Sequence, residues 1–408
     1  MSLSNFVRLC LSEWISFLLP AIPIRSRSIV AISRRKHWTT YYKLIERGSV
    51  RTLRLARALF RLVLAVLPFD VLTLVIDDTL VPRSSESAPG CARRHDHSRK
   101  TNRPTFMLAQ CWVTVGVSVL GHGGAKLVLP ILSRLVPASG NRNKLLIALA
   151  LLRGLAGVAD KPVRVLFDSW FMRARLVLPL LQRQIRVIGQ ARVDTALFLP
   201  PVAPTTPRRG RKRIYGERLS AQAVAALPVT ELCLSLYGQE QLLRLRSVVA
   251  LARFLKGTPV HAVWCQFFDT KKQTWTKPRL LLATETELTA EAIVRLYARR
   301  WGIEPLFHNL KRWWGISNLW QQSRTALELW MQIRSTAWTL AQLLSLAAHG
   351  AFPMEAVAPW RMKHPLTAGL VAQWLRMEFT GLAFRDGFDR KSQKFVFPEP
   401  RNDPRLRL

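Results

Sequence analysis

Short apolar runs alternate with amphipathic segments along much of the chain. Two of the runs, VLTLVID and VRVLFD, end at Asp77 and Asp168, which is typical of buried strands that carry an aspartate at one end. TFMLAQCWVTVGVSVL and AKLVLPILSRLV predict two more strands, and IRVIGQAR predicts a fifth. Helices are expected near residues 143–156 and 171–184, and a C-terminal core helix is expected from just after residue 318 to about residue 349. Periodicity alone therefore indicates strands alternating with helices, an α/β arrangement.

The N-terminal segment ends in an amphipathic pattern over residues 51–68. Arg54, Arg57 and Arg61 stand at i, i+3 and i+7 on one side, with leucines opposite. The stripe predicts either a helix that lies along DNA or an ordinary surface helix with solvated arginines, and the sequence favours neither. We expect residues 1–69 to form a helical, basic region.

The middle of the chain changes composition. PPVAPTTPRRGRKRIYGE, residues 200–217, is rich in proline and arginine and predicts an exposed loop. Residues 259–284 alternate well enough for a β-hairpin that turns near residues 269–272. The loop carries a flexible basic cluster suited to DNA phosphates or to a minor groove, formed by Arg208, Arg209, Arg211, Lys212 and Arg213.

The charge of the chain points to a polyanionic partner. Lys and Arg number 61 against 25 Asp and Glu, for a net charge of +36, and nucleic acid is the natural partner for that excess. A basic protein adapted to a membrane surface or to a basic cytoplasm is the alternative. The best apolar stretch is interrupted by Arg61, Pro68 and Asp70, so no membrane span is predicted. With Arg8 and Glu13 in its first apolar stretch the N-terminus makes a poor signal peptide, and we expect a cytoplasmic protein.

Neither a metal cluster of cysteines nor a nucleotide loop is predicted. The five cysteines lack C-x-x-C spacing and indicate reduced thiols. His95 and His97 flank Asp96 in a basic stretch, for which a polar loop facing DNA or solvent is expected rather than a metal site. The chain has no glycine-rich phosphate loop, so no nucleotide cofactor is expected.

One segment concentrates candidate chemistry. In YARRWGIEPLFHNLK, a helix would bring Tyr297, Arg300, Glu304 and Lys311 within about 60° of one another on one face. A carboxylate there can bind a divalent cation while the Arg and Lys contact phosphate oxygens. The alternative is a solvated helix face with an incidental Arg and Glu pair.

These four residues match, at every position, the Tyr, Arg, Glu and Lys signature of a large group of DDE transposases from bacterial insertion sequences. The chain resembles that family from about residue 72 to residue 318. Asp77, in the order Asp77-Asp78-Thr79, fits the context of the family's first catalytic aspartate, and Asp168 with the three residues after it fits the second. Asp78 is the alternative ligand, and Asp77 is preferred because it keeps the D-x-T order.

The resemblance implies a specific α/β architecture. We expect an RNase H-like catalytic core with an inserted β-rich subdomain, flanked by helical N- and C-terminal regions. The expected units are a DNA-binding region at 1–69, the first part of the core at 70–195, the insertion at 196–285, the catalytic helix and core completion at 286–350, and a C-terminal region of no assigned role at 351–408.

The resemblance also implies a reaction. A cut-and-paste DNA transposase cleaves phosphodiester bonds at transposon ends and joins the 3′-OH ends to target DNA, and a hairpin intermediate is implied by resemblance alone. Asp77, Asp168 and Glu304 are the expected catalytic and metal-binding residues, with two Mg²⁺ ions per active site and Mn²⁺ as a substitute. Arg300 and Lys311 are expected to contact DNA phosphates.

The resemblance to the transposase family also makes two aromatic residues candidates for contact with DNA. Tyr297 is expected to hydrogen-bond a phosphate, and Trp275 is the candidate for stacking on a flipped base, with a packing role as its alternative. The expected partners are terminal inverted repeats, target DNA and a second copy of the chain in the DNA complex, in a bacterial, nucleoid-associated setting. The alternative functions are an RNase H-like nuclease or resolvase without strand transfer, and a catalytically inactive DNA-binding derivative of a transposase.

Overall fold

The computed structural model describes residues 43, 45–47, 50–96, 104–138, 142–202, 213–347, 352–380, 388–389 and 394–395. Most of the predicted N-terminal region lies outside these residues, and so do His97 and four members of the basic loop, Arg208, Arg209, Arg211 and Lys212. Within the described ranges, no helix has both the length and the apolar character needed to cross a membrane.

Helices and strands alternate as the apolar pattern predicts, which confirms the α/β class. The described α-helices are α1 Thr52–Val66, α2 Arg142–Ala156, α3 Ala174–Leu181, α4 Ala221–Ala225, α5 Ala290–Ala298, α6 Ile303–Arg312, α7 Arg324–Ala347, α8 Met354–Val357 and α9 Ala368–Thr380. The strands are β1 Leu72–Pro82, β2 Cys91–His95, β3 Phe106–Leu120, β4 Lys126–Leu135, β5 Val163–Phe167, β6 Arg186–Ala191, β7 Leu197–Phe198, β8 Thr230–Leu236, β9 Gln239–Ala252, β10 Thr258–Asp269, β11 Thr274–Trp275, β12 Arg279–Ala283, β13 Phe388–Asp389 and β14 Lys394–Phe395.

Five strands form the centre of a twelve-stranded sheet in the order β4-β3-β1-β5-β6. β1 pairs antiparallel with β3 and parallel with β5, which pairs parallel with β6. The parallel pairs require crossovers, and helices α2 and α3 supply them. Three antiparallel strands followed by two parallel ones fit an RNase H-like core.

The same sheet continues into the region predicted as an insertion. β12 pairs antiparallel with β6, and β10, β9 and β8 follow outward from it. The pairing of β10 with β12 confirms the predicted hairpin. Within the predicted β-rich region, β8 and β9 were not located individually, although Leu243 and Leu245 are buried and alternate with the arginines that follow them, the period-two signal of a strand.

A buried ion pair ties these added strands to the core. Glu285, just after β12, is 3% exposed. Its carboxylate accepts hydrogen bonds from Arg164 of β5 at 2.6 Å and from Arg186 of β6 at 3.0 Å. A charge this deeply buried is stable only when paired, so all three strands are held in register at this point.

Helix α1 is amphipathic as predicted, and its inner face includes the buried Phe60. One arginine of its stripe has a structural contact: Arg57 Nε donates to the Gly154 carbonyl of α2 at 2.9 Å. Arg54 and Arg61 are exposed. The continuous basic stripe is therefore reduced to two exposed arginines, because the middle one joins two helices.

Three predicted boundaries were wrong. The helix expected from residue 171 begins at Ala174, because the Asp168 carboxylate accepts the backbone N–H groups of Trp170 and Phe171 and forms a turn first. The expected polar loop after β1 contains β2, which pairs with the long neighbouring β3. The C-terminal core helix begins only at Arg324, after the hydroxyl of Ser323 accepts the first-turn N–H of Ala326 at 3.2 Å.

The two faces of the sheet bury separate cores. Along β1, Leu74 and Ile76 contact the core that includes α1, α2 and α3, whereas Val75 and Val81 contact the core that includes α6 and α7. Side chains alternate between faces along a strand. Odd-numbered residues of β1 therefore face α6 and α7, and this parity decides where the aspartates point.

Candidate active site

Asp77 and Asp168 lie beside each other because β1 and β5 are parallel neighbours. The register pairs Leu74 with Val165 and Val75 with Leu166. Continued by two residues, the same register sets Asp77 next to Asp168. Val75 and Leu166 belong to one core, so both aspartates face the side of the sheet that α6 covers.

Asp77 was expected at the end of its strand, and this was wrong. β1 continues to Pro82, and Asp77 pairs with Thr114 of β3 in the middle of the ladder. The strand persists because β3 is long enough to pair with it as far as Ala109. Asp168, by contrast, directly follows β5 as predicted.

The predicted single helix over the signature residues was also wrong. Tyr297 lies in α5, Arg300 lies in a 3-10 turn over Arg299–Gly302, and Glu304 and Lys311 lie in α6. Pro305 lacks the backbone N–H that an α-helix would donate to residue 301, and its ring crowds that carbonyl, so the chain tightens there.

Arg300 bridges two acids of the site. Its Nη1 donates to Asp77 Oδ2 at 2.8 Å and its Nη2 donates to Glu304 Oε1 at 3.0 Å. The side chains of Arg300 and Asp77 are 15% and 16% exposed, whereas that of Glu304 is 51% exposed. The contact with Asp77 is therefore the shielded one, and Glu304 lies at the solvent side of the arginine.

Burial makes ionisation of the two aspartates costly. Loss of solvation raises the pKa of Asp77 to about 8, although Arg300 opposes the shift; the charge of Asp168 adds to it. Burial also raises the pKa of Asp168, again against the effect of Arg300. Two carboxylates whose charged forms are disfavoured gain most from a cation placed beside them.

Asp78 has different surroundings from its neighbour. Its Oδ2 accepts from Lys144 Nζ of α2 at 2.8 Å and from the Cys111 thiol at 3.2 Å. The Lys144 ammonium also lies 4.6 Å from the ring centroid of Trp170. Asp78 is thus already paired with a cation from the opposite face of the sheet.

The three acids open into one cleft. Its volume is about 1250 Å³, and it is lined by residues from β1, β2, the first part of β3, α2, the segment after β5, and α6. Among them are Asp77, Asp78, Lys144, Asp168, Glu304 and Lys311. A cleft of this size that is lined by both acidic and basic side chains can admit a phosphodiester strand.

A family model identifies the protein family to which the chain belongs. The model of the family described as "DDE superfamily endonuclease" matches residues 21–247, more than half of the chain. The chain belongs to this family. The matched range includes both aspartates and ends before Glu304.

This DDE endonuclease has a match among solved structures but none among curated proteins. The cryo-EM structure of the piggyBac transposase synaptic complex with hairpin DNA matches with 12% identity and a TM-score of 0.37, over 92% of this chain and 71% of that chain.

DDE endonucleases use divalent metal ions, and the donor chemistry of this cleft suits such an ion. Carboxylate oxygens are the ligands that Mg²⁺ and Mn²⁺ prefer. Within the described residues, however, no three His, Cys, Asp or Glu side chains are grouped closely enough to hold a metal together. At this site the guanidinium of Arg300 lies between Asp77 and Glu304 and contacts both. The carboxylates are therefore suitable ligands for Mg²⁺ or Mn²⁺, and two of them are hydrogen-bonded to Arg300 in this structure.

Tyr297 of this DDE endonuclease, like Arg300, is not among the residues that line the cleft. Its hydroxyl donates to Gln190 Oε1 of β6 at 3.4 Å, and the Arg300 guanidinium lies 5.8 Å from its ring. Burial raises the pKa of Tyr297 to about 12, so the phenol keeps its proton and can act as a donor. A phosphate contact by Tyr297 stays a prediction.

Trp275 and Arg213 are absent from the lining of the cleft. The indole of Trp275 packs edge-on against Phe268 at 5.2 Å, and the guanidinium of Arg244 lies 4.3 Å from its ring. One face of the indole is thus covered, which favours the packing role over stacking. Arg213 is exposed at the edge of the loop whose other basic members lie outside the described residues.

Two residues near the acids were missed by sequence reasoning. Lys144 reaches Asp78 only because α2 packs on the sheet, and no local pattern reveals that. Tyr237, in the turn between β8 and β9, packs against Trp301 at 5.9 Å and lies close enough for the charges of Arg300 and Glu304 to affect its pKa, which burial raises. Tyr237 and Gly238 both have positive φ, as a tight hairpin turn requires. Gly238 was the signal in the sequence that could have predicted this turn.

Proposed function

We propose that this chain is a cut-and-paste DNA transposase, which cleaves phosphodiester bonds at transposon ends and joins the resulting 3′-OH ends to target DNA. The observation that carries the proposal is the meeting of Asp77, Asp168 and Glu304 in one cleft beside Arg300 and Lys311. These acids come from distant parts of the chain, and a purely structural role gives no reason for their convergence.

The charge of the chain supports DNA as the substrate. A net charge of +36 favours binding to a polyanion, with an affinity that falls steeply as salt rises. Terminal inverted repeats and target DNA are the proposed partners, bound by a homodimer. Arg213 and the basic loop around it would contact the DNA backbone outside the cleft.

Asp77, Asp168 and Glu304 would hold two Mg²⁺ ions, with Mn²⁺ able to replace them. When bound, the ions supply a more acidic water as nucleophile and charge stabilisation for the departing 3′ oxygen. Asp77 is proposed as a ligand in preference to Asp78, because Asp77 faces the same side of the sheet as Asp168 and α6, whereas Asp78 faces α2.

The other residues of the cleft position the DNA. Lys311, one of the cleft-lining residues, would bind a phosphate near the transposon end. Arg300, which contacts the cleft-lining Asp77 and Glu304, would be a second phosphate-binding cation. Tyr297 would donate its phenol proton to a phosphate oxygen. Fixing a phosphodiester in line with its nucleophile lowers the entropic part of the barrier, so these contacts contribute to rate as well as to affinity.

The test is cleavage of the DNA that flanks the reading frame. A supercoiled plasmid carrying both flanks should be nicked at the ends by the full chain with Mg²⁺, and the released 3′ ends should join a second plasmid. Glu304→Gln keeps the shape of the side chain and removes its charge. It should bind the flanks nearly as well as the parent and lose cleavage by a factor of about 10² or more.

Glu291→Gln is the matched control, because Glu291 of α5 is 46% exposed and pairs with Arg295 on the surface. It should cleave like the parent. Cleavage by Glu304→Gln at the parental rate would overturn the assignment. Cleavage without joining of 3′ ends would instead identify a nuclease or resolvase.

A further inference from the structure

Arg300 occupies the space that separates two of the proposed metal ligands. Both oxygens of Asp77 are engaged: Oδ2 accepts from Arg300 at 2.8 Å, and Oδ1 accepts the backbone N–H of Asp78 at 2.8 Å. Glu304 accepts from the other arm of the same guanidinium at 3.0 Å. The positive charge beside these carboxylates therefore comes from the chain itself.

A divalent cation and this guanidinium compete for the same oxygens. A metal ion held by Asp77 and Glu304 would compete with Arg300 for oxygens that now accept its hydrogen bonds, and two like charges so close would repel each other. Because the Arg300 side chain is 15% exposed, salt screens this contact poorly. In its present position Arg300 therefore opposes metal binding at these acids.

A DNA phosphate offers Arg300 an alternative partner. The arginine fork binds two phosphate oxygens as well as it binds carboxylate oxygens. Its present partners adjoin the cleft into which the proposed substrate enters, and Lys311 lines the same cleft. A strand seated there would attract the guanidinium away from the acids.

We propose that Arg300 is a lock: in the DNA-free enzyme it closes Asp77 and Glu304 to divalent cations, and a DNA phosphate in the cleft releases it. Metal binding and DNA binding are then coupled, and each strengthens the other by the same factor. Such coupling keeps the enzyme from loading metal until a substrate strand is in position. The inference depends on the proposed function, since it needs DNA and metal at one site.

The experiment is a titration of the full chain with Mn²⁺, followed by the EPR signal of the unbound ion, with and without a short DNA duplex. The Asp77→Asn variant, titrated with the same duplex, is the background control. It measures the Mn²⁺ that is bound by DNA and by other parts of the protein. Wild type should bind Mn²⁺ at least about tenfold more tightly with DNA than without it, because two charge-assisted hydrogen bonds no longer oppose the ion.

Arg300→Gln should bind Mn²⁺ without DNA about tenfold more tightly than wild type, and added duplex should change its affinity little. Arg300→Lys, whose single ammonium replaces the two-armed fork, should fall between the two proteins. Arg299→Gln is the matched control: Arg299 lies in the same turn but donates to Ser118, at 3.1 Å from Nε and 3.0 Å from Nη2. It should behave like wild type.

Equal Mn²⁺ affinity of DNA-free wild type and Arg300→Gln would overturn the lock. If Arg300→Gln does not fold, as judged by circular dichroism, Arg300→Lys decides by the same comparison. Failure of the proposed function looks different, because Asp77→Asn would then bind as much Mn²⁺ as wild type. If Asp77→Asn loses Mn²⁺ binding but the Arg300 substitutions leave the Mn²⁺ affinity unchanged, the lock is rejected and the proposed function is not.

Discussion

Asp77 and Asp78 are consecutive in β1, yet their carboxylates bind cations on opposite faces of the sheet. Asp77 accepts from Arg300, which precedes α6, and Asp78 accepts from Lys144 of α2, each at 2.8 Å. Strand alternation is the cause, because neighbouring side chains point to opposite faces. The two carboxylates thus have different surroundings, and we expect an aspartate-to-asparagine substitution to change the stability of the protein in opposite directions at the two positions.

Asp77→Asn should stabilise the metal-free protein at alkaline pH. The pKa of Asp77 is raised from 3.8 to about 8 in the folded protein, so between those values the folded state retains a proton that the unfolded state has lost. Stability of the wild type then falls as pH rises through this window. The variant lacks that titration and should be more stable at pH 8 by about 1 to 3 kcal/mol.

Urea unfolding in EDTA at pH 5 and pH 8 would measure the difference. Asp78→Asn is the comparison, since it removes the partner of the largely buried Lys144 and should lower stability by about 1 kcal/mol or more. An Asp77→Asn variant that loses stability at pH 8 as Asp78→Asn does would contradict the raised pKa.

Lys311→Ala should weaken binding to the flanking DNA and reduce its salt dependence. Each phosphate neutralised by the protein releases condensed counterions, so loss of one contact should lower the slope of log K against log salt by about one. Fluorescence anisotropy at several salt concentrations gives the slope. Lys363→Ala, at an exposed lysine of the C-terminal part that does not line the cleft, is the control. Equal slopes for Lys311→Ala and the parent would argue against a phosphate contact.

Trp275→Ala should lower stability and leave the Kd for DNA little changed. The indole packs on Phe268 and under the Arg244 guanidinium, so its removal should cost about 1 to 3 kcal/mol. Trp275→Phe keeps much of that packing and should cost less. Thermal unfolding and a DNA-binding titration on both variants separate the two roles. A folded Trp275→Ala protein with parental stability and a greatly raised Kd would instead favour base stacking.

Glu285→Gln should be strongly destabilising although Glu285 lies outside the cleft. Its charge is shared by Arg164 and Arg186, and loss of a buried partner leaves cations uncompensated at a cost of about 3 kcal/mol. Glu231→Gln removes a surface pair with Arg244 and should cost less than about 1 kcal/mol. Similar urea midpoints for the two variants would show that the buried pair does not hold β12 to the core.

Most of the sheet could be predicted from the sequence because its signals are local. The apolar runs of β1 and β5 give strands by composition alone, and α1 follows from its period. Turn and cap effects moved some boundaries: the Asp168 side chain binds two backbone N–H groups and delays α3. Such side-chain contacts are hard to rank from sequence, since they compete with the helix on nearly equal terms.

By itself, the sequence determined the basic character of the chain, the α/β pattern and the candidate acids, because charge, period and spacing are properties of neighbouring residues. Only the tertiary structure decided which aspartate faces Arg300, since that depends on the pairing of β1 with β5 and on which core each face buries. It also decided that Arg300 contacts carboxylates, because Asp77 lies 223 positions away and a buried charge takes the nearest opposite charge.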